Sequence, residues 1–266
     1  MKLRKLTALI AVIAVISCLV LVPALAAAGG VTVYVTIANG SLVMTQEAIN
    51  VTDADGDGAL TINDALFLAH EAGFSGGAAA GYASEVGAYG LCIAKLWGVQ
   101  NGGSYGYYLN NASAMGLTDA VKDGDHLTAF VYTDTAAFSD TYCFFDKNTV
   151  TVSAGEKLTL TLSAAGYDES WNPVVKPVAE AVITVDGVPS SFVTDAEGKV
   201  TLTLDGGAHT LSAVSESAVL VPPVCAVTVA SPSTGDIAGG VIFLAVFAAA
   251  LGEVLCVSRR KNKYAE

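Results

Sequence analysis

Asp53-Ala54-Asp55-Gly56-Asp57-Gly58-Ala59-Leu60-Thr61-Ile62-Asn63-Asp64 packs four carboxylates into 12 residues. Side chains that close repel one another unless a cation sits among them. Calcium accepts 6–8 oxygens at about 2.3–2.6 Å, and a 12-residue loop can supply them from positions 1, 3, 5, 7, 9 and 12. Asp53, Asp55 and Asp57 fall at 1, 3 and 5, and Ala59 offers a backbone carbonyl at 7. Thr61 at 9 ligates directly or through water, and Asp64 closes the loop at 12. Gly58 takes position 6, where the chain turns sharply and positive φ is needed. Leu60 at position 8 is expected to point into the core. The implied cofactor is Ca2+. Its expected work is structural: pinning the start of a helix, stabilising the domain and resisting proteolysis.

This pattern resembles the EF-hand loop. Asp at position 12, where Glu is usual, resembles the dockerin version. Dockerins carry two such loops and only one is visible here. A dockerin-like assembly subunit is therefore an alternative reading that also requires a second loop.

Other catalytic chemistry is not indicated. His70, His126 and His209 lie far apart without metal-ligand spacing, and each reads as a surface or turn residue. No Gly-x-Ser-x-Gly elbow occurs. Carboxylates are too numerous for any pair to be informative. The expectation is a protein that is not an enzyme.

The elements that must carry the loop follow from periodicity. Residues 31–37 alternate as a strand, Asn39-Gly40 marks a hairpin turn, and a second strand runs over 42–51. Ala65, Leu66, Leu68 and Ala69 continue without a breaker to Gly73, so a helix is expected over 62–72. The loop thus joins strand to helix with no incoming helix. A Gly-rich loop over 73–82 and strands near 91–99, 105–109 and 126–132 follow. Strand–strand–helix–strand–strand predicts a β-grasp, ubiquitin-like fold over 29–143.

Leu96-Trp97-Gly98-Val99, then Gly103-Ser104-Tyr105-Gly106-Tyr107-Tyr108-Leu109-Asn110, then Val121-Lys122-Asp123-Gly124-Asp125-His126-Leu127 carry a second likeness. They resemble the transcobalamin-like C-terminal domain of bacterial surface proteins, over about 31–133, with the acidic loop as an insertion. Those domains have an aromatic strand ending in Asn and an Asp-Gly-Asp turn before the last strand. In the vitamin carriers the domain helps to cover a corrinoid beside a large helical domain, which has no counterpart in these 266 residues. The resemblance makes a corrinoid-binding surface protein a further alternative, with Trp97, Tyr105, Tyr107 and Tyr108 as a candidate ligand face. Aromatics alternating along a strand also pack sheets.

Residues 144–230 read as seven short strands, at 149–152, 157–164, 181–185, 191–194, 199–204, 209–213 and 225–229. Turns fall at Asp186-Gly187, Glu197-Gly198 and Gly206-Gly207. This spacing predicts a β-sandwich. Ala181-Val182-Ile183-Thr184-Val185-Asp186-Gly187 and Thr194-Asp195-Ala196-Glu197-Gly198-Lys199-Val200 resemble bacterial Ig-like surface repeats, which usually act as spacers. The fold class is mainly β with one α+β domain.

Both ends carry addresses. Lys2, Arg4 and Lys5 precede an apolar run over 6–22, then Pro23 and Ala24-Leu25-Ala26. Basic, apolar and small-x-small segments make a secretory signal peptide over 1–28. Val15-Ile16-Ser17-Cys18 weakly resembles a lipoprotein box, but Cys18 leads into more apolar residues. A second apolar run over 237–258 is long enough to span a bilayer, and Arg259, Arg260, Lys261 and Lys263 follow it. Ser231-Pro232-Ser233-Thr234-Gly235 precedes the run. Pentapeptide, span and basic tail over 231–266 resemble a sortase sorting signal, with Ser where Leu-Pro-x-Thr-Gly has Leu. A sortase Cys would cleave between Thr234 and Gly235, and a peptidoglycan amine would resolve the acyl-enzyme. A plain C-terminal membrane anchor gives the same topology. Residues 29–230 are expected outside a Gram-positive-type cell.

That segment holds six basic and 22 acidic residues, near −16. Such a balance excludes nucleic acid, whose capture needs cationic contacts to phosphate. An oxidising compartment permits disulfides. Three cysteines lie in the segment, so one thiol is left over. Cys143 and Cys225 bracket the second domain and are the favoured pair. Cys92, in an apolar run, is expected to be buried. The chain reads as a cell-surface anchored, calcium-binding adhesion module for an unidentified extracellular ligand.

Overall fold

The computed structural model describes residues 29–230. The signal peptide 1–28, the sorting residues Ser231, Pro232, Ser233, Thr234 and Gly235, the 237–258 span and the basic tail lie outside the described residues. Among the described residues no helix is long and apolar enough to cross a membrane. The architecture is mainly β, in two units.

The first unit opens on a hairpin, β1 (Val31–Asn39) and β2 (Ser41–Val51), which folds back at Gly40 with φ +67°. The acidic loop leads into α1 (Ile62–Gly73). The expected loop over 73–82 contains a short helix, α2 (Gly77–Gly81), because Gly76 and Gly77 turn the chain through positive φ. A separate two-stranded hairpin follows, β3 (Ala83–Gly87) and β4 (Gly90–Lys95). Then come β5 (Tyr105–Leu109), β6 (Ala112–Ser113) and β7 (Asp125–Val131). The main sheet has the order β2-β1-β7-β5-β6. Its central pair, β1 and β7, is parallel and its other pairs are antiparallel.

Period-2 alternation decides which side of this sheet meets the helix. Val33, Val35 and Ile37 of β1, with Leu127, Ala129 and Val131 of β7, form one buried layer. Ile62, Ala65, Leu66 and Ala69 of α1 pack on it at helical spacing. Leu117 and Val121, from the connection between β6 and β7, complete the core beneath the helix start.

The second unit comprises β8 (Thr141–Phe145), β9 (Thr149–Ser153), β10 (Leu158–Tyr167), β11 (Pro173–Pro177), β12 (Val182–Val185), β13 (Val188–Val193), β14 (Lys199–Leu202), β15 (Gly207–Val214), β16 (Leu220–Val221) and β17 (Cys225–Ala230). One sheet runs β11-β10-β8-β16, with β14 beside the first half of β10, and the other runs β13-β12-β15-β17-β9. Leu160, Leu162 and Phe145 of the first sheet share a core with Ile183, Leu211 and Val227 of the second. The chain enters this unit before Thr141, not at the expected boundary of 143. β8 was illegible because its residues do not alternate. Tyr142 and Cys143 are both buried, on opposite faces.

Candidate metal centre

The acidic loop leads from the end of β2 into the first turn of α1, where its last three residues, Ile62, Asn63 and Asp64, are already helical. Gly56 and Gly58, at φ +78° and +89°, let it curl tightly, a conformation that side-chain-bearing residues resist. Three carboxylates converge in the curl. One oxygen from each of Asp53, Asp55 and Asp57 lies within 4.8 Å of the others, and all three residues are exposed. The loop's own backbone fixes their orientation. Asp53 Oδ1 accepts from the N–H of Gly56 (2.7 Å) and Asp57 (3.1 Å), and its Oδ2 from Gly58 (3.0 Å). Asp57 Oδ1 accepts from Ala59 N–H at 2.8 Å. An all-oxygen set of carboxylates at the rim of a Gly-rich turn suits a hard cation.

The exit from the loop is held separately. Thr61 is the N-cap of α1 and Asp64 its third residue, and the two form a capping box. Asp64 is fully buried. Its Oδ2 accepts from Thr61 N–H (2.9 Å) and Thr61 Oγ1–H (2.7 Å), and its Oδ1 from Ala54 N–H (2.8 Å). Asp64 therefore ties the second residue of the loop to the helix, and it stands apart from the three converging carboxylates. Leu60 packs against the core as expected.

Two supports were not legible in the sequence. Asn63 Nδ2 donates to Asp55 Oδ2 at 3.0 Å, and Asn63 Oδ1 accepts from Tyr82 Oη–H at 2.9 Å. A polar chain thus runs from the carboxylate cluster to the start of β3, and burial raises the Tyr82 phenol well above its ordinary value. The stretch 117–121 also pairs with the loop exit. Val121 N–H donates to Leu60 O (2.9 Å), Ile62 N–H to Asp119 O (3.0 Å) and Asn63 N–H to Leu117 O (2.9 Å). An Asn in a first helical turn is a weak signal, and nothing in 117–121 announces a partner 60 residues away.

The four aromatics do not share one face. Trp97 and Gly98 form a two-residue turn with φ of +48° and +77°, and the indole packs edge-on against Phe74 at 5.2 Å. Tyr105 Oη–H donates within the fold, to Val99 O at 2.8 Å. Tyr105 and Tyr107 pack on the helix-side core. Tyr108 points the opposite way and stacks on Tyr142 with ring centroids 3.7 Å apart.

Among the histidines, His70 departs from the expected surface or turn position. His70 is fully buried in α1. His126 stacks on Tyr34, and His209 Nδ1 lies 2.8 Å from Asp186 Oδ2. The expected Cys143–Cys225 disulfide is not formed, and both thiols are free and buried. Cys143 sits on β8 and Cys225 on β17, in opposite sheets, and Cys143 Sγ–H is turned to Val221 O at 3.2 Å. Burial pushes each thiol up to about 12, which withholds the thiolate that disulfide exchange requires. Cys92 is half-exposed, its Sγ–H directed at Glu85 O (3.3 Å).

No family model, curated protein or solved structure matches this chain.

Proposed function

We propose that this chain is a non-catalytic, calcium-binding adhesion module displayed outside a Gram-positive-type cell. The convergence of Asp53, Asp55 and Asp57 carries the calcium-binding part of this reading. Calcium would be held by these three with the Ala59 carbonyl as a further oxygen, while Thr61 and Asp64, the last two positions of the motif, cap the helix instead. Bound there, it neutralises the mutual repulsion of the carboxylates and locks the strand-to-helix connection. The chain's own residues already orient the oxygens, through N–H groups of 56–59, and anchor the helix start, through Thr61 and Asp64.

The order β2-β1-β7-β5-β6, with a parallel centre and a helix across one face, supports a β-grasp identity for the first unit. Two facing sheets support an Ig-like spacer for the second. The amino-terminal signal and the Ser231–Gly235 pentapeptide, apolar span and basic tail support export followed by sortase-mediated linkage to peptidoglycan, or retention by a C-terminal helix in the membrane. The ligand would be an extracellular molecule met by the first unit.

Thermal unfolding of the full chain in calcium and in chelator tests the metal. Calcium at 100-fold above its dissociation constant adds about 2.7 kcal/mol to the folded state and raises Tm. Asp53→Ala and Asp55→Ala should each abolish that rise. Equal Tm values for the unaltered chain in calcium and chelator would falsify the assignment.

A further inference from the structure

The face of the first sheet turned away from α1 is covered as well. Ala38 of β1 and Phe130 of β7 are each 1% exposed, although neither touches the helix-side core. Tyr142 of β8 and Val221 of β16 cover them, with Tyr108, Tyr132 and Phe144 around the rim. Tyr108 and Tyr142 stack nearly parallel, 6° apart in plane, and burial pushes the Tyr108 phenol up to about 12.

Polar contacts close the rim of this apolar patch. Tyr142 Oη–H donates to Asn111 Oδ1 at 2.9 Å. β1 and β2 slip register between Val35 and Ile37, and Gln46 opposite that slip takes φ +46°. Its own N–H donates to Thr36 Oγ1 (3.1 Å). Its Nε2 reaches the second unit, donating to Asn148 O (3.1 Å) and Val224 O (3.4 Å). The connecting segment is cinched too, with Thr133 N–H and Asp134 N–H both donating to Asp140 Oδ1 (2.7 and 3.1 Å). The cleft left beside Gln46, His126 and Asn148 measures about 30 Å³, room for a water.

Domains joined in one chain move relative to each other by default, unless their interface is large and apolar. We infer that this interface is a built joint, so that the two units unfold as one cooperative body and a cation bound in the first unit stabilises the second. The cooperative part stands on the interface alone. The cation part rests on the calcium reading above.

Calorimetry of the full chain in detergent micelles, with and without calcium, tests both. The unaltered chain should melt in one transition whose calorimetric and van't Hoff enthalpies agree. Tyr142→Ala should split it in two. The pair Gln46→Ala and Asn111→Ala, which leaves both cores intact, should broaden or split it. In a split variant calcium should raise one transition and leave the other in place, whereas in the unaltered chain it raises the single one. Two resolved transitions in the unaltered chain would overturn the joint, as would a single sharp transition in every variant. One transition that splits on substitution but ignores calcium sustains the joint and removes the calcium reading.

Discussion

His70 shows how far one side chain can depart from its composition-level reading. Its Nδ1–H donates to Leu66 O at 2.6 Å, and its Nε2 accepts from Trp97 N–H at 3.0 Å. Only the neutral ring with its proton on Nδ1 satisfies both. Protonating Nε2 would set N–H against N–H within an aromatic nest of Phe74, Tyr82 and Trp97. Burial accordingly lowers its pKa below 6.5. The unfolded chain then takes up this proton before the folded chain does. The contribution is complete above about pH 6.5 and is lost as pH falls from there toward the depressed value. His209 has the opposite sign, since its Asp186 partner raises its pKa. Its contribution is complete below about pH 6.5 and fades as pH rises through the raised value, but the pair is largely solvated and weak. Between pH 7 and pH 5.5 the urea midpoint of the unaltered chain should lose more with acidification than that of His70→Gln. Parallel profiles for the unaltered chain and His70→Gln would contradict the buried neutral histidine.

At the scale of elements, the strand-to-helix connection depends on its cap. Thr61→Ala removes the N-cap acceptor and should cost about 1 kcal/mol. Asp64→Ala strands three donors, at Ala54 N, Thr61 N and Thr61 Oγ1, and should cost about 3 kcal/mol. Urea midpoints in chelator separate these losses from any metal effect, and equal losses for the two variants would refute the buried role of Asp64. Gly106 in β5 presents a different limit. A Cβ there would lie 2.1 Å from Phe130 Cζ, so Gly106→Ala should destabilise by about 1–3 kcal/mol through overpacking. Unchanged stability would mean that the Phe130 ring is free to move. The helix and the strand at 105–109 were legible because their apolar spacing matches 3.6 and 2 residues. β3, β11 and β16 were not. β3 and β11 are mostly exposed, so no buried face imposes a pattern, and β16 is two residues long.

For the molecule as a whole, the charge of about −16 over residues 29–230 is almost unpaired. Lys147 with Asp146 at 3.4 Å is the single lysine–carboxylate pair among the described residues. Self-repulsion of this kind opposes the compact state and is screened by salt, with a Debye length of about 10 Å at 0.1 M. In chelator, raising NaCl from about 0.02 M to about 0.3 M should raise Tm by a few degrees. A fall in Tm would show that the acidic surface is not the limiting strain. Calcium added at the higher salt should give its own further increment, because a coordinated ion replaces specific oxygens' water instead of thinning a diffuse field.

The sequence by itself determined the mainly β class, the acidic loop with its glycines, the helix that follows it and most strands of both units. Each of these depends on residues close together in the chain, where spacing alone says which side chains share a face or a turn. Tertiary structure alone decided that Asp64 is buried apart from Asp53, Asp55 and Asp57, that 117–121 pairs with the loop exit, and that Cys143 and Cys225 stay unjoined. It also decided that Tyr108 turns from its neighbours toward Tyr142. Those outcomes depend on which distant segments meet, and period-2 alternation fixes only that a strand has two faces, not what covers each.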